Sequence, residues 1–147
     1  MKLYIDSESF EISSSDVITG TICLKLNDDF FPEKNWNDSI ALILLSWIKS
    51  FKELSKNQNS KATFYFFDGP LRFEMIETGK LGYLKLYHKD KCILRNDISS
   101  NNLVTNFRLE LLKCCELAID EFNKRGWITP ETIHLNSLIK DLTLPWI

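Results

Sequence analysis

Between Lys61 and Ile98 the chain places short β-rich runs so close together that only antiparallel neighbours can be joined. The runs are "KATFYFF", "LRFEMIE", "KLGYLKLYHK" and "CILRNDI", all rich in aromatic and branched residues. They are separated by "DGP", Thr78-Gly79 and Asp90-Lys91. Parallel strands would need crossovers of about a dozen residues or more. "LRFEMIE" sets Leu71, Phe73 and Met75 against Arg72 and Glu74, one face buried and one wet. "KATFYFF" is aromatic on both faces and predicts a central strand. Pro70 has no N–H to close a two-residue turn after Asp68-Gly69, so a looser loop is expected there. Gly82 is the expected site of a bulge.

The first 26 residues read as two strands. In "VITGTICLKL", Ile18, Ile22, Leu24 and Leu26 alternate with Thr19, Thr21, Cys23 and Lys25. The serines and acids of "KLYIDSESFEIS" predict an edge strand or a broken one, with Ser13 to Asp16 as the turn. Asn37 or Asp38 is read as the cap of a helix running to about Lys56, with Trp36 stapling back onto Ala41. Ile40, Ile43, Leu44, Trp47, Ile48, Phe51 and Leu54 form its apolar stripe. Leu42 and Leu45 fall outside it, so the first half is apolar almost all round and needs a second cover: the other helix, the preceding loop or another chain. A long helix follows "SSNN" and ends at Gly126, with Val104, Phe107, Leu111, Cys115, Ala118, Ile119 and Phe122 inward. Thr129-Pro130 opens a shorter helix to about Asp141. The terminal Trp146-Ile147 is expected to pack back on the body. The order is β-β-α-β-β-β-β-α-α: an α+β fold with a single antiparallel sheet of about five to six strands and two main helices.

A chain of 147 residues with 44% hydrophobic and 26% charged content fits one domain over residues 1–147. "IALILLSWI" is too short for a membrane span and the N-terminus lacks a signal-type apolar core, so a cytoplasmic location is expected. Cys23, Cys92, Cys114 and Cys115 fit no zinc spacing and read as reduced thiols, and no metal is expected. The net charge of −2 hides an asymmetry: residues 1–38 carry eight acids against three lysines, the rest twelve acids against fifteen bases. A nucleic-acid ligand is not expected without a concentrated basic face. The acidic third suits a basic protein partner.

Motifs of catalysis are missing from the sequence. Its five glycines are scattered and build no phosphate loop, and GxSxG and HExxH do not occur. No cofactor is expected. His88 and His134 lie in different elements and read as surface residues. The carboxylates Asp28, Asp29, Glu33, Asp38 and Asp68 flank two distinctive loops, where a buried pair could do acid–base work. Their simpler roles are turns and caps.

The most unusual segment is "DDFFPEKNWND". It sets large aromatics among acids just before the apolar helix. Phe30, Phe31 and Trp36 read either as a core plug or as anchors of an interface with a charged rim. The pattern "FFPEKNWNDSIALILLSWIKSF", followed by a strand and "FFDGP", resembles small bacterial proteins that accompany polymorphic or contact-dependent toxins as immunity proteins. The resemblance covers residues 30–70. It implies a cytosolic, non-enzymatic protein that binds a cognate toxin domain and blocks it. Charge adds that the toxin could be a basic nuclease. The candidate partner-binding residues are Asp28, Asp29, Glu33, Trp36 and Asp68. Two alternatives stand beside this reading: a small enzyme or ligand-binding protein with a pocket between sheet and helices, using His88 or Asp68, and a homodimer joined through Ile40–Ile48.

Overall fold

In the computed structural model, residues 1–56, 60–78 and 81–143 are described, the side chains at 55, 56 and 97–102 excepted. The Trp146-Ile147 tail and the Gly79 half of its turn lie outside these residues. The elements are β1 (Lys2–Ile12), β2 (Ile18–Leu26), β3 (Asp29–Phe31), β4 (Asn37–Ser39), α1 (Ile40–Lys56), β5 (Lys61–Tyr65), β6 (Leu71–Glu77), β7 (Leu81–His88), β8 (Lys91–Ser99), α2 (Ser100–Arg125), α3 (Pro130–Leu138) and α4 (Lys140–Thr143).

The class is α+β, but the single sheet is replaced by two antiparallel sheets of four strands each. The second is the β5-β6-β7-β8 meander. In the first, β2 is central, with β1 on one side and both β3 and β4 on the other. β5 ends the second sheet, and α1 packs against it. The Trp47 indole Nε1 donates to the Tyr65 carbonyl at 2.9 Å. The expected central strand is therefore an edge strand, and its two aromatic faces differ: Phe64 and Phe66 are buried, while Tyr65 is exposed.

Asn37 and Asp38 do not cap α1. They belong to β4, paired with Thr21 and Gly20 of β2. Trp36 packs edge-on against Phe66, with ring centroids 6.3 Å apart. β3 and β4 act as one broken strand on β2, and residues 32–36 loop out between them. The Trp36 carbonyl still accepts from the Ile22 N–H at 2.9 Å, so the pairing resumes at once after the excursion. This loop also covers the face of β2 expected to be wet. Cys23 and Thr21 are buried, and burial pushes the Cys23 thiol above its ordinary value despite hydrogen bonds from the backbone of Asn35 and Trp36.

β1 is broken as its serines predicted. Its register on β2 shifts between Asp6 and Glu11. The Ser9 hydroxyl fills the gap, accepting from the Thr21 N–H at 2.8 Å and donating to the Asp6 carbonyl. Arg125 at the end of α2 donates to the freed carbonyls of Phe10 and Ser7. Gly82 pairs regularly with Ile98. The bulge of this sheet falls at Ile93 instead, where Tyr87 faces Cys92 and Leu86 faces Leu94.

The stripe of α1 is wholly buried, as is Leu45. α1 packs on β5, β2, α2 and α3, which covers Leu45 and leaves Leu42 exposed. Trp47 sits among Phe64, Phe66 and Phe73, and Phe64 stacks on Phe73 at 4.8 Å and 7°. Phe107 of α2 meets the same rings. Gly126 ends α2 at φ +68°, a conformation glycine adopts without steric cost. α3 opens with a capping box in which Thr129 and Thr132 exchange side-chain to backbone hydrogen bonds. The expected helix to Asp141 breaks at Ile139 into α3 and the single turn of α4.

Candidate functional site

The loop after β3 and the loop after β5 meet on one carboxylate. Asp38 is buried, at 2% exposure. Its Oδ2 accepts from the Trp36 indole at 3.0 Å, the Phe67 N–H at 2.9 Å and the Asp68 N–H at 3.2 Å. Its Oδ1 accepts from the Ser39 N–H at 2.7 Å. A buried charge is tolerated only when it is solvated in this way. With both oxygens engaged, Asp38 is a latch between two loops. Gly69 lies under the Trp36 ring at φ +130°, so the chain turns back close to the indole.

The five candidate residues split around this latch. Trp36 and Asp68 are brought together by it, the first half-buried, the second exposed. Asp28 sits in the tight turn between β2 and β3 and Asp29 at the start of β3, both exposed. That turn lies four strand residues from Ile22, roughly 13 Å along β2. Glu33 is exposed on the excursion between the two groups. The plug and anchor readings of the aromatics divide likewise. Phe31 is buried against Phe66. Phe30 is half-buried on the outer face against Tyr4, with Lys25 and Lys34 beside its ring.

Beyond the latch, an open cleft of about 590 Å³ runs between α1, the end of β5 and the start of α3. Its apolar wall is Leu42, Tyr65 and Phe67, which are 37%, 54% and 46% exposed. Ser46, Lys49, Ser50, Glu131 and His134 supply its polar groups. Neither His88 nor Asp68 lines it. A second groove, of about 440 Å³, separates β3 from β8 and is lined by Phe30, Phe31, Leu86 and Leu94 among others. Among the described residues no three His, Cys, Asp or Glu side chains group to hold a metal ion. No described helix is long and apolar enough to cross a membrane.

Sequence reasoning took Asp38 for a cap, because a lone Asp before an apolar run looks the same in either role. It also passed over the polar face of the second sheet. There Glu74 is buried: burial alone would raise its carboxyl, but a hydrogen bond from Tyr87 and the charge of Lys61 at 3.2 Å together hold it below the ordinary value. Tyr87 is raised in turn, chiefly by that bond to Glu74.

Comparison with protein-family models, with curated proteins and with solved structures finds no match to this chain.

Proposed function

We propose that this chain is a non-enzymatic protein-binding inhibitor, an immunity protein that neutralises a cognate bacterial toxin domain by covering its active site. The observation that carries the reading is the Asp38 latch. It fixes Trp36 and the exposed Asp68 loop against each other through three hydrogen bonds. A surface rigid before binding loses less entropy on docking. Tyr65 and Phe67, exposed beside the latch, are the kind of aromatic anchors that protein interfaces favour. The exposed acids Asp28, Asp29 and Glu33 suit steering toward a basic partner, a nuclease groove in the sharpest form of the proposal. A cytoplasmic site of action fits the four free thiols, three of them buried.

The test has two stages. Tagged protein is recovered from its host and the bound material identified by mass spectrometry. The partner is then purified and its activity titrated with the inhibitor. One stoichiometric partner whose activity falls to zero at a 1:1 ratio supports the reading. Recovery of the chain alone, with the toxin locus expressed and washing gentle, argues against it. In the purified pair, charge reversal at Asp28, Asp29 and Glu33 is expected to slow association at low salt and leave dissociation unchanged. An unchanged association rate removes those acids from the interface.

A further inference from the structure

The helices cover one face of the second sheet, where Phe64, Phe73, Met75, Leu84 and Leu86 are buried. Among the described residues no helix packs on the opposite face, and β3 approaches it only along β8, across the groove that Arg95 lines. Cross-strand partners share a face, so the register sorts that surface into three rows. Tyr65, Arg72, Tyr87 and Cys92 form the first. Thr63, Glu74, Lys85 and Arg95 form the second. Lys61, Ile76 and Tyr83 form the third, with Asp97 at the β8 position of that row. The chain is acidic overall, yet this face gathers Lys61, Arg72, Lys85 and Arg95. Lys89 and Lys91 stand at its β7–β8 end.

The side chains are held in place before any partner arrives. The Arg72 guanidinium stacks on the Tyr87 ring at 4.2 Å and donates to the Lys89 carbonyl. Arg95 stacks on Tyr83 at 4.1 Å. Glu74 joins Lys61 to Tyr87. Arginine and tyrosine are the residues most favoured at binding hot spots, and rotamers fixed in advance cost less on docking.

We propose that this Arg–Tyr face docks an acidic surface of another protein. Carboxylates are the counter-charge of a face on which Lys61, Arg72, Lys85 and Arg95 outnumber the acids Glu74 and Asp97 of the same rows. Single-stranded nucleic acid is the rival polyanion, but it binds by stacking bases on free aromatic faces. Here one face of Tyr83 and one of Tyr87 are already taken by arginine. The inference concerns the outer face of the second sheet, which shares Tyr65 with the surface beside the latch, and does not rest on the toxin reading.

The test uses the intact chain and a fluorescein-labelled oligoglutamate peptide, read by anisotropy at low and physiological salt. Expected is salt-dependent binding that weakens about tenfold in K85E/R95E and also in Y83A/Y87A. The charge-neutral Ile128→Ser, at an exposed position outside the sheet, is expected to bind as wild type. Melting curves establish that each variant is folded. Amide shifts on the unmutated protein give a reading that needs no variant, and are expected along β6, β7 and β8. The proposal is overturned if an oligothymidylate of equal length binds more tightly than the peptide. It is also overturned if shifts centre on residues 28–36, if the tyrosine variant binds like wild type, or if the chain without peptide forms a dimer that K85E/R95E abolishes.

Discussion

The backbone N–H of Phe67 donates to the carboxylate of Asp38 at 2.9 Å, across 29 residues of chain. The same oxygen holds the Trp36 indole and the Asp68 amide. Two loops that belong to different sheets are therefore tied at one buried charge, and the face proposed to meet a partner has its shape set by that tie.

Replacing Asp38 with Asn removes the charge and turns an amide group toward four N–H donors. Charged hydrogen bonds contribute about 1.5–3 kcal/mol each, so a net loss of roughly 3 kcal/mol is expected. Urea denaturation measures it. Hydrogen exchange at the Phe67 and Asp68 amides should accelerate beyond the global change. Unaltered exchange at both would show that the latch is idle.

Trp47→Phe keeps the buried ring and removes the indole donor, leaving the Tyr65 carbonyl unpaired under α1. A cost of about 2 kcal/mol is expected from the lost bond and the smaller ring. Because that bond occupies a carbonyl of the edge strand β5, the variant should also aggregate more readily on partial unfolding. Light scattering through a thermal ramp reads this second effect.

Gly20→Ala would set a Cβ 2.5 Å from Cδ1 and 3.0 Å from Cε1 of Phe10. Phe10 is buried and packs against Phe122, with ring centroids 5.8 Å apart, so it has little room to yield. Overpacking of this kind costs about 1–3 kcal/mol. Adding Phe10→Leu should recover part of the loss, which a double-mutant cycle reads directly.

The thiols of Cys114 and Cys115 give the fold an alkaline limit. Burial pushes Cys114 up to about 12 from 9.0, and Cys115 also upward. The unfolded chain releases these protons near pH 9 while the folded chain keeps them. Stability is full below that pH and falls as pH rises toward 12. The slope is about 1.4 kcal/mol per pH unit for each thiol. Cys115→Val should flatten the decline in denaturation midpoints measured from pH 8 to 10.5. An unchanged slope would assign the decline to other groups, such as Tyr87, which is also raised.

Local chemistry made much of the molecule legible. The period of two in "LRFEMIE", the short turns after Glu77 and His88, the stripe of α1 and the Gly126 stop all act within a few residues. The corresponding elements lie where those signals placed them. β3 and β4 were not legible, because three residues are too few to show a period and their aromatics and acids look like a loop. Asp28, Asp29, Glu33 and Asp68 are all exposed, but Asp38 of the same acidic segment is buried, and no local signal set it apart. The sequence did not reveal that Trp36 and Asp68 meet through a third residue while Asp28 and Asp29 stand apart on the turn.

By itself, then, the sequence determined the class, the meander, both main helices, the inward face of α1 and part of that of α2, where Leu103 and Cys114 are buried and Val104 and Ile119 only half-buried, because hydrophobic period and turn chemistry are properties of neighbouring residues. The tertiary structure alone decided that there are two sheets, that β5 is an edge strand packed against α1, and that Asp38 is a latch. It also placed Arg72 on Tyr87 and Arg95 on Tyr83 across adjacent strands. Each of these depends on which distant backbone groups are left to be satisfied once the core has closed. That is settled by how α1 and α2 pack between the sheets, and no local pattern encodes it.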